Sequence, residues 1–184
     1  MSARDNILDR VRDAMRVSAP RPEPPSDAAI WPPIGDLESQ FRAEFAALKG
    51  EIVESLPEFL AGFKTIACSG NDLPCSGNVP VREAELGVTG CDCLVARTGS
   101  IVLTSRSAGG RALSILPPVH LVLARRSQIM LDLDAAIAVL RQRYNGQFPS
   151  MMSVVSGPSR TADIEKVLVM GAHGPKRLAL HFIE

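Results

Sequence analysis

The residues best suited to chemistry lie in Ser156-Gly157-Pro158-Ser159-Arg160-Thr161-Ala162-Asp163-Ile164-Glu165. The segment follows an apolar run that reads as a strand, and it leads into what reads as the first turn of a helix. Gly157 permits an unusual backbone path, and Ser159 or Thr161 suits a helix cap. Amides at such a helix start, the hydroxyls of Ser156, Ser159 and Thr161, and the Arg160 guanidinium would together cradle an anion. The plainer alternative is an ordinary capped loop. Asp163 and Glu165 favour a helix N-terminus without any ligand, and they would repel a bound phosphate. Thr161 stands where Gly-x-Ser-x-Gly needs its second glycine, so this is no hydrolase elbow.

A second group is Gly87-Val88-Thr89-Gly90, followed by Ala96-Arg97-Thr98-Gly99-Ser100. Glycines beside small hydroxyls let a backbone approach a ligand, and they serve tight turns equally well. Glu85 and Asp92 flank the first pair as candidate acid or base, although a solvated carboxylate is the commoner fate. His173, in Gly171-Ala172-His173-Gly174-Pro175, can titrate near neutral pH and shuttle protons, or simply occupy a turn. His120 and His181 read as structural. The chain has 4 cysteines. Cys68, Cys75, Cys91 and Cys93 form no Cys-x-x-Cys pair, and two thiolates on one strand face would make an incomplete site. No metal site is expected in this chain, and buried thiols are the default. Neither a dinucleotide fingerprint nor a P-loop is present.

These groups need elements to hold them. Ile7, Leu8, Val11 and Met15 recur at helical spacing, which predicts an amphipathic helix over residues 1–17. Prolines then break the chain through an extended linker, 18–35, and one α/β domain follows over 36–184. Within it, a helix from Asp36 presents Leu37, Phe41, Phe45 and Leu48 on one face and ends at Gly50. A short strand over 51–54, a helix over 57–63 and a strand over 65–68 come next. The repeated Cys-Ser-Gly-Asn at 68–71 and 75–78 reads as two turns. Further strands are expected over 93–96, 101–103, 112–116, 119–124, 151–155, 167–170 and 178–183. A helix over 132–143 has Leu133, Ile137 and Leu140 inward. Continuous apolar runs interleaved with helices predict an open, mainly parallel sheet flanked by helices.

Composition narrows the function. Aromatics are 4% of the chain, too few for a base-stacking platform, and the formal charge is zero. No nucleic-acid partner is expected. The charge is uneven, however. Residues 1–96 hold 9 Lys/Arg against 15 Asp/Glu, a balance of −6, and residues 97–184 hold 11 against 5, a balance of +6. The halves either pair with each other or leave an anion site in the second. No apolar run approaches the ~20 residues of a membrane span. The first residues lack the apolar stretch of a signal peptide, so a cytoplasmic protein with reduced thiols is expected.

Five segments in order closely resemble the LutC/YkgG family, or LUD domain. They are Gly87–Asp92, Ala96–Thr104, Leu116-Pro117-Pro118-Val119-His120, Ser156–Glu165 and Gly171–Pro175. The resemblance implies a fold like the NagB, RpiA and CoA-transferase enzymes. It also implies a place in L-lactate oxidation to pyruvate beside LutA-like and LutB-like iron–sulfur proteins. The iron–sulfur clusters would belong to those partners, with no cofactor in this chain. One departure is Arg97, where relatives tend to carry an acid. Thr98, Gly99, Ser100, Ser156, Gly157, Ser159, Arg160 and Thr161 are carried forward as anion-site residues, with His173 and Glu85 as candidate catalytic groups. Three functions fit. The first is a lactate-oxidation subunit binding a small carboxylate. The second is a stand-alone enzyme on a phosphorylated or CoA-linked metabolite. The third is an interaction module gripping a partner through the N-terminal helix.

Overall fold

The computed structural model describes residues 2–16, 31–69, 73–161, 169–170 and 173–184. It divides into two units, Met1–Pro33 and Ile34–Glu184. In the first, the predicted helix is present as α1 (Ala3–Arg16), with Ile7, Val11 and Met15 exposed. Most of the predicted linker lies outside the described residues.

The second unit runs α2 (Leu37–Ala47), β1 (Glu51–Ile52), α3 (Leu56–Ala61), β2 (Ile66–Cys68), β3 (Leu86–Thr89), β4 (Cys93–Val95) and β5 (Ser100–Thr104). It continues with β6 (Val119–Arg125), β7 (Ile129–Met130), α4 (Leu133–Arg143), β8 (Met152–Val155), β9 (Arg160–Thr161), β10 (Val169–Met170) and β11 (Arg177–Ile183). Five strands form a wholly parallel sheet in the order β1-β11-β6-β3-β2. The expected mainly parallel α/β sheet is therefore present. A second sheet, β7-β4-β5-β8, is mixed, with β5 antiparallel to both neighbours. Nothing in the apolar runs distinguished it, because strands buried on both faces look alike whichever way they run.

The core lies between the two sheets. Leu94, Ile101 and Leu103 of the mixed sheet meet Val122, Ala124, Leu178 and Leu180 of the parallel one, and Phe41 and Phe45 join them from α2. Both rings are fully buried and stack at 5.4 Å, as i, i+4 spacing on one helix face dictates. Burying each ring contributes roughly 1.5–3 kcal/mol. Asp36 caps α2 by accepting from Ser39 N at 3.0 Å. Lys49 takes the left-handed conformation (φ 69) at its end. Gly50 matters for space instead, since a Cβ there would overlap the Phe45 ring. The outer face of the parallel sheet packs Val53 and Leu56 near α3 against Leu86, Val88, Leu121 and Leu123.

Three expectations need correction. Residues 112–116 are turn, not strand: the Ile115 and Leu116 amides both reach Ala112 O, and both side chains are about half exposed. Pro117 and Pro118 then remove the donors a ladder would need. In α4 the inward positions are Ala136 and Leu140, while Leu133 is exposed and Ile137 half-buried. Asp132 caps the helix, so Leu133 opens the first turn and the buried arc falls later. Arg160–Thr161 is strand, antiparallel to Val169–Met170, so Ser159 caps no helix there; a helix starting after Thr161 would fall in residues 162–168, outside the described residues.

Part of the uneven charge is paired internally. Arg126 meets Glu38, Arg177 meets Glu51 and Arg143 meets Asp92, each joining the basic half to the acidic one.

Candidate functional site

Sheet register builds the site. β5 and β8 are antiparallel with Ile101 opposite Val155, so Ser100 and Ser156, one residue beyond on each strand, fall side by side. Their Oγ atoms are 2.8 Å apart, and Thr98 Oγ1 donates to Ser100 Oγ at 2.9 Å. Ser100 is buried, while Thr98 and Ser156 are exposed, so the chain of hydroxyls runs from the core to the surface.

Two glycines seat both segments against the C-terminal end of α2. Gly99 (φ +61) lies so close that a Cβ would overlap Phe45 N and Glu44 C. Gly157 (φ +90) is as close to the next turn, where a Cβ would come within 2.5 Å of Leu48 O. Arg160 is exposed, and its Nη2 donates to the same Leu48 carbonyl at 3.2 Å. A guanidinium has five donors, so this bond does not exhaust it. It also places a cation at the negative end of the α2 dipole.

Six of the predicted residues lie together. Thr98, Gly99, Ser100, Ser156, Gly157 and Arg160 share one rim, and Ser159 N donates to Pro175 O at 2.8 Å, which brings the His173 turn alongside. His173 itself is exposed. Thr161 lies in β9. Glu85 is exposed just before β3, where its carboxylate accepts from Lys64 N. The rim differs from the expected one in two ways. Arg160–Thr161 is strand rather than the opening of a helix, and the cluster sits where α2 leads into β1 and the His173 turn into β11. This is the amino end of the parallel sheet, whereas ligands of open α/β sheets more often bind at the carboxyl end.

Sequence reasoning missed a network near that carboxyl end. Asp92, read as a flanking acid, is 2% exposed. Its Oδ1 accepts from Tyr144 Oη at 2.7 Å and from Arg143 Nη1 at 3.0 Å. Oδ2 is buried without a partner among the described residues. Tyr144 Oη also meets Thr104 Oγ1 at 3.2 Å, and Thr104 Oγ1 accepts from the Arg106 and Ser107 amides. Burial foremost pushes the Tyr144 phenol up, so it stays a donor. The one available signal was that Tyr144 is the chain's single tyrosine, directly after a helix.

His120 and His181 are structural, as expected. His181 Nδ1 meets Val53 O at 2.7 Å. His120 Nε2 meets Thr89 Oγ1 at 2.9 Å in full burial, which lowers its pKa to about 4. In the unfolded chain the group titrates near 6.5. Unfolding therefore takes up a proton between those values, so stability is full above pH 6.5 and falls as pH drops towards 4. Urea unfolding at pH 7 and 4.5 should show a smaller loss for His120→Gln than for wild type; equal losses would contradict this assignment. Cys91 and Cys93 do not share a face, because Cys91 packs between the sheets and Cys93 against the α4 side of the mixed sheet.

The LUD domain family model matches residues 81–183. The chain belongs to the LUD domain family. Among relatives of this LUD domain, Lactate utilization protein C of Geobacillus kaustophilus is 35% identical over 100 residues, covering 53% of this chain and 42% of that protein. The protein of the same name from Bacillus subtilis is 36% identical over 100 residues, again 53% and 42%. Uncharacterized protein YkgG of Escherichia coli is 36% identical over 105 residues, 56% and 46%. The match thus spans less than half the length of these relatives. A crystal structure of a DUF162 family protein from Deinococcus radiodurans aligns at TM-score 0.61 and 20% identity, covering 80% of this chain and 96% of that one. At that identity the likeness establishes a shared fold. No described helix is long and apolar enough to cross a membrane.

Proposed function

We propose that this LUD domain protein is a component of a lactate-utilisation system, in which L-lactate is oxidised to pyruvate together with LutA-like and LutB-like iron–sulfur proteins. It binds a small carboxylate at the rim formed by Thr98, Ser100, Ser156 and Arg160. Family membership and the names of the relatives support the role. The 2.8 Å contact between Ser100 and Ser156 supports the site, because it joins two family segments into one polar cluster beside a guanidinium. A carboxylate fits that donor set: the guanidinium supplies charge and two donors in fork geometry, and the exposed hydroxyls supply further bonds. On this reading the redox chemistry and the iron–sulfur clusters belong to the partners, and this chain contributes binding and orientation. Its cytoplasmic placement follows from the same reading.

Deleting the coding sequence in the source organism should abolish growth on L-lactate while sparing growth on glucose, and a wild-type copy should restore it. Unchanged growth on L-lactate would contradict the role.

A further inference from the structure

Cys68 and Cys75 differ from the other two cysteines. Cys91 and Cys93 are buried in the core, whereas Cys68 and Cys75 are half-buried and adjacent, with Sγ atoms 2.6 Å apart. Cys68 Sγ also donates to Cys75 O at 3.5 Å. Backbone pairing sets this proximity. Cys68 ends β2, and the segment after Cys75 is clamped along the same strand: Asn78 N donates to Ile66 O, and Ile66 N donates to Asn78 Oδ1, both at 2.8 Å. Gly77 permits the approach, since a Cβ there would lie 2.9 Å from Cys68 N. Both thiols line a cavity of about 600 Å³, together with Ala67, Leu73, Ser76, Val79, Val81 and Leu113.

The geometry points to a dithiol–disulfide exchange site, at which Cys68 and Cys75 reduce a small disulfide admitted to this cavity and close on each other as a cystine. One thiolate attacks a sulfur of the small disulfide RS–SR. That S–S bond breaks, a mixed disulfide forms on the protein, and the first RS⁻ departs. The second thiolate then attacks the protein sulfur of the mixed disulfide and expels the second RS⁻. Two electrons pass from the protein dithiol to the small disulfide, and the two cysteine protons end on two RSH. The Cys68 hydrogen bond foremost, and burial next, push the Cys75 thiol up. Exchange accelerates as pH rises, because only the thiolate attacks. Neither cysteine belongs to the Ser100–Ser156–Arg160 rim, so this site stands or falls apart from carboxylate binding.

The probe is glutathione disulfide, added to the reduced, reductant-free full chain. Wild type should release two glutathione thiols per chain and become two hydrogens lighter. Peptide mapping should show a Cys68–Cys75 link that dithiothreitol reverses. Cys75→Ser should stop at one released thiol, with glutathione retained on Cys68. A wild-type chain that stops at a stable mixed disulfide, links to a second chain, or reacts only after unfolding in urea would overturn the proposal.

Discussion

Gly99→Ala is expected to lose about 3 kcal/mol of folding stability, read as a lower urea midpoint with an unchanged slope. Two costs combine. At φ +61 a Cβ imposes left-handed strain of about 1–2 kcal/mol. It would also overlap the α2 backbone at Phe45 N and Glu44 C, so the turn and the helix must separate, at roughly 1–3 kcal/mol. Gly146→Ala isolates the first cost, because Gly146 has φ +74 with nothing within 4 Å. It should lose only about 1 kcal/mol. Equal losses in the two variants would mean that the turn does not rest on the helix as described. The same substitution should loosen the Ser100–Ser156 contact, because Gly99 holds Ser100 in place.

Asp92→Ala is the second large effect, expected to cost about 2–3 kcal/mol. Removing one member of a buried ion pair costs about 3–5 kcal/mol when the other charge is left buried. Here Arg143 is 44% exposed and regains water, so that part of the loss is small. The bond from Tyr144 Oη to a charged acceptor accounts for most of the remainder. Against this, removing a carboxylate whose Oδ2 is buried without a partner among the described residues relieves some desolvation. The lost bonds outweigh the relief, because Oδ1 serves two donors. Thermal unfolding of Asp92→Ala beside Tyr144→Phe decides this: the Phe variant should lose about 1.5–2 kcal/mol, less than Asp92→Ala, and keep the ion pair. An Asp92→Ala chain as stable as wild type would show that desolvation dominates.

Much of the architecture was legible in local residues. Asp36 before Leu37, Phe41 and Phe45 announced α2, and Asp132 before an apolar period announced α4. Pairing was not legible, because it depends on register between distant strands. Ser100 and Ser156 are 56 residues apart, and only the Ile101–Val155 register brings them together. Arg160–Thr161 is strand for a related reason: Ser159 suits a helix cap, yet Val169–Met170 offers Arg160–Thr161 a strand partner. Asp92 looked like one of two flanking acids, beside Glu85. Its role appears only when α4 delivers Arg143 and Tyr144, which local spacing cannot reveal. The cysteine spacing excluded Cys-x-x-Cys chemistry but gave no hint that Cys68 and Cys75 meet.

The carboxylate site is tested most directly by calorimetric titration of L-lactate and pyruvate into wild type and Arg160→Ala. Wild type should bind at least one of the two acids, and the alanine variant should bind it about ten-fold more weakly or worse, as loss of a charge-assisted hydrogen bond requires. Identical affinities in the two proteins, or no heat from either acid with wild type, would contradict a carboxylate site at the Ser100–Ser156–Arg160 rim.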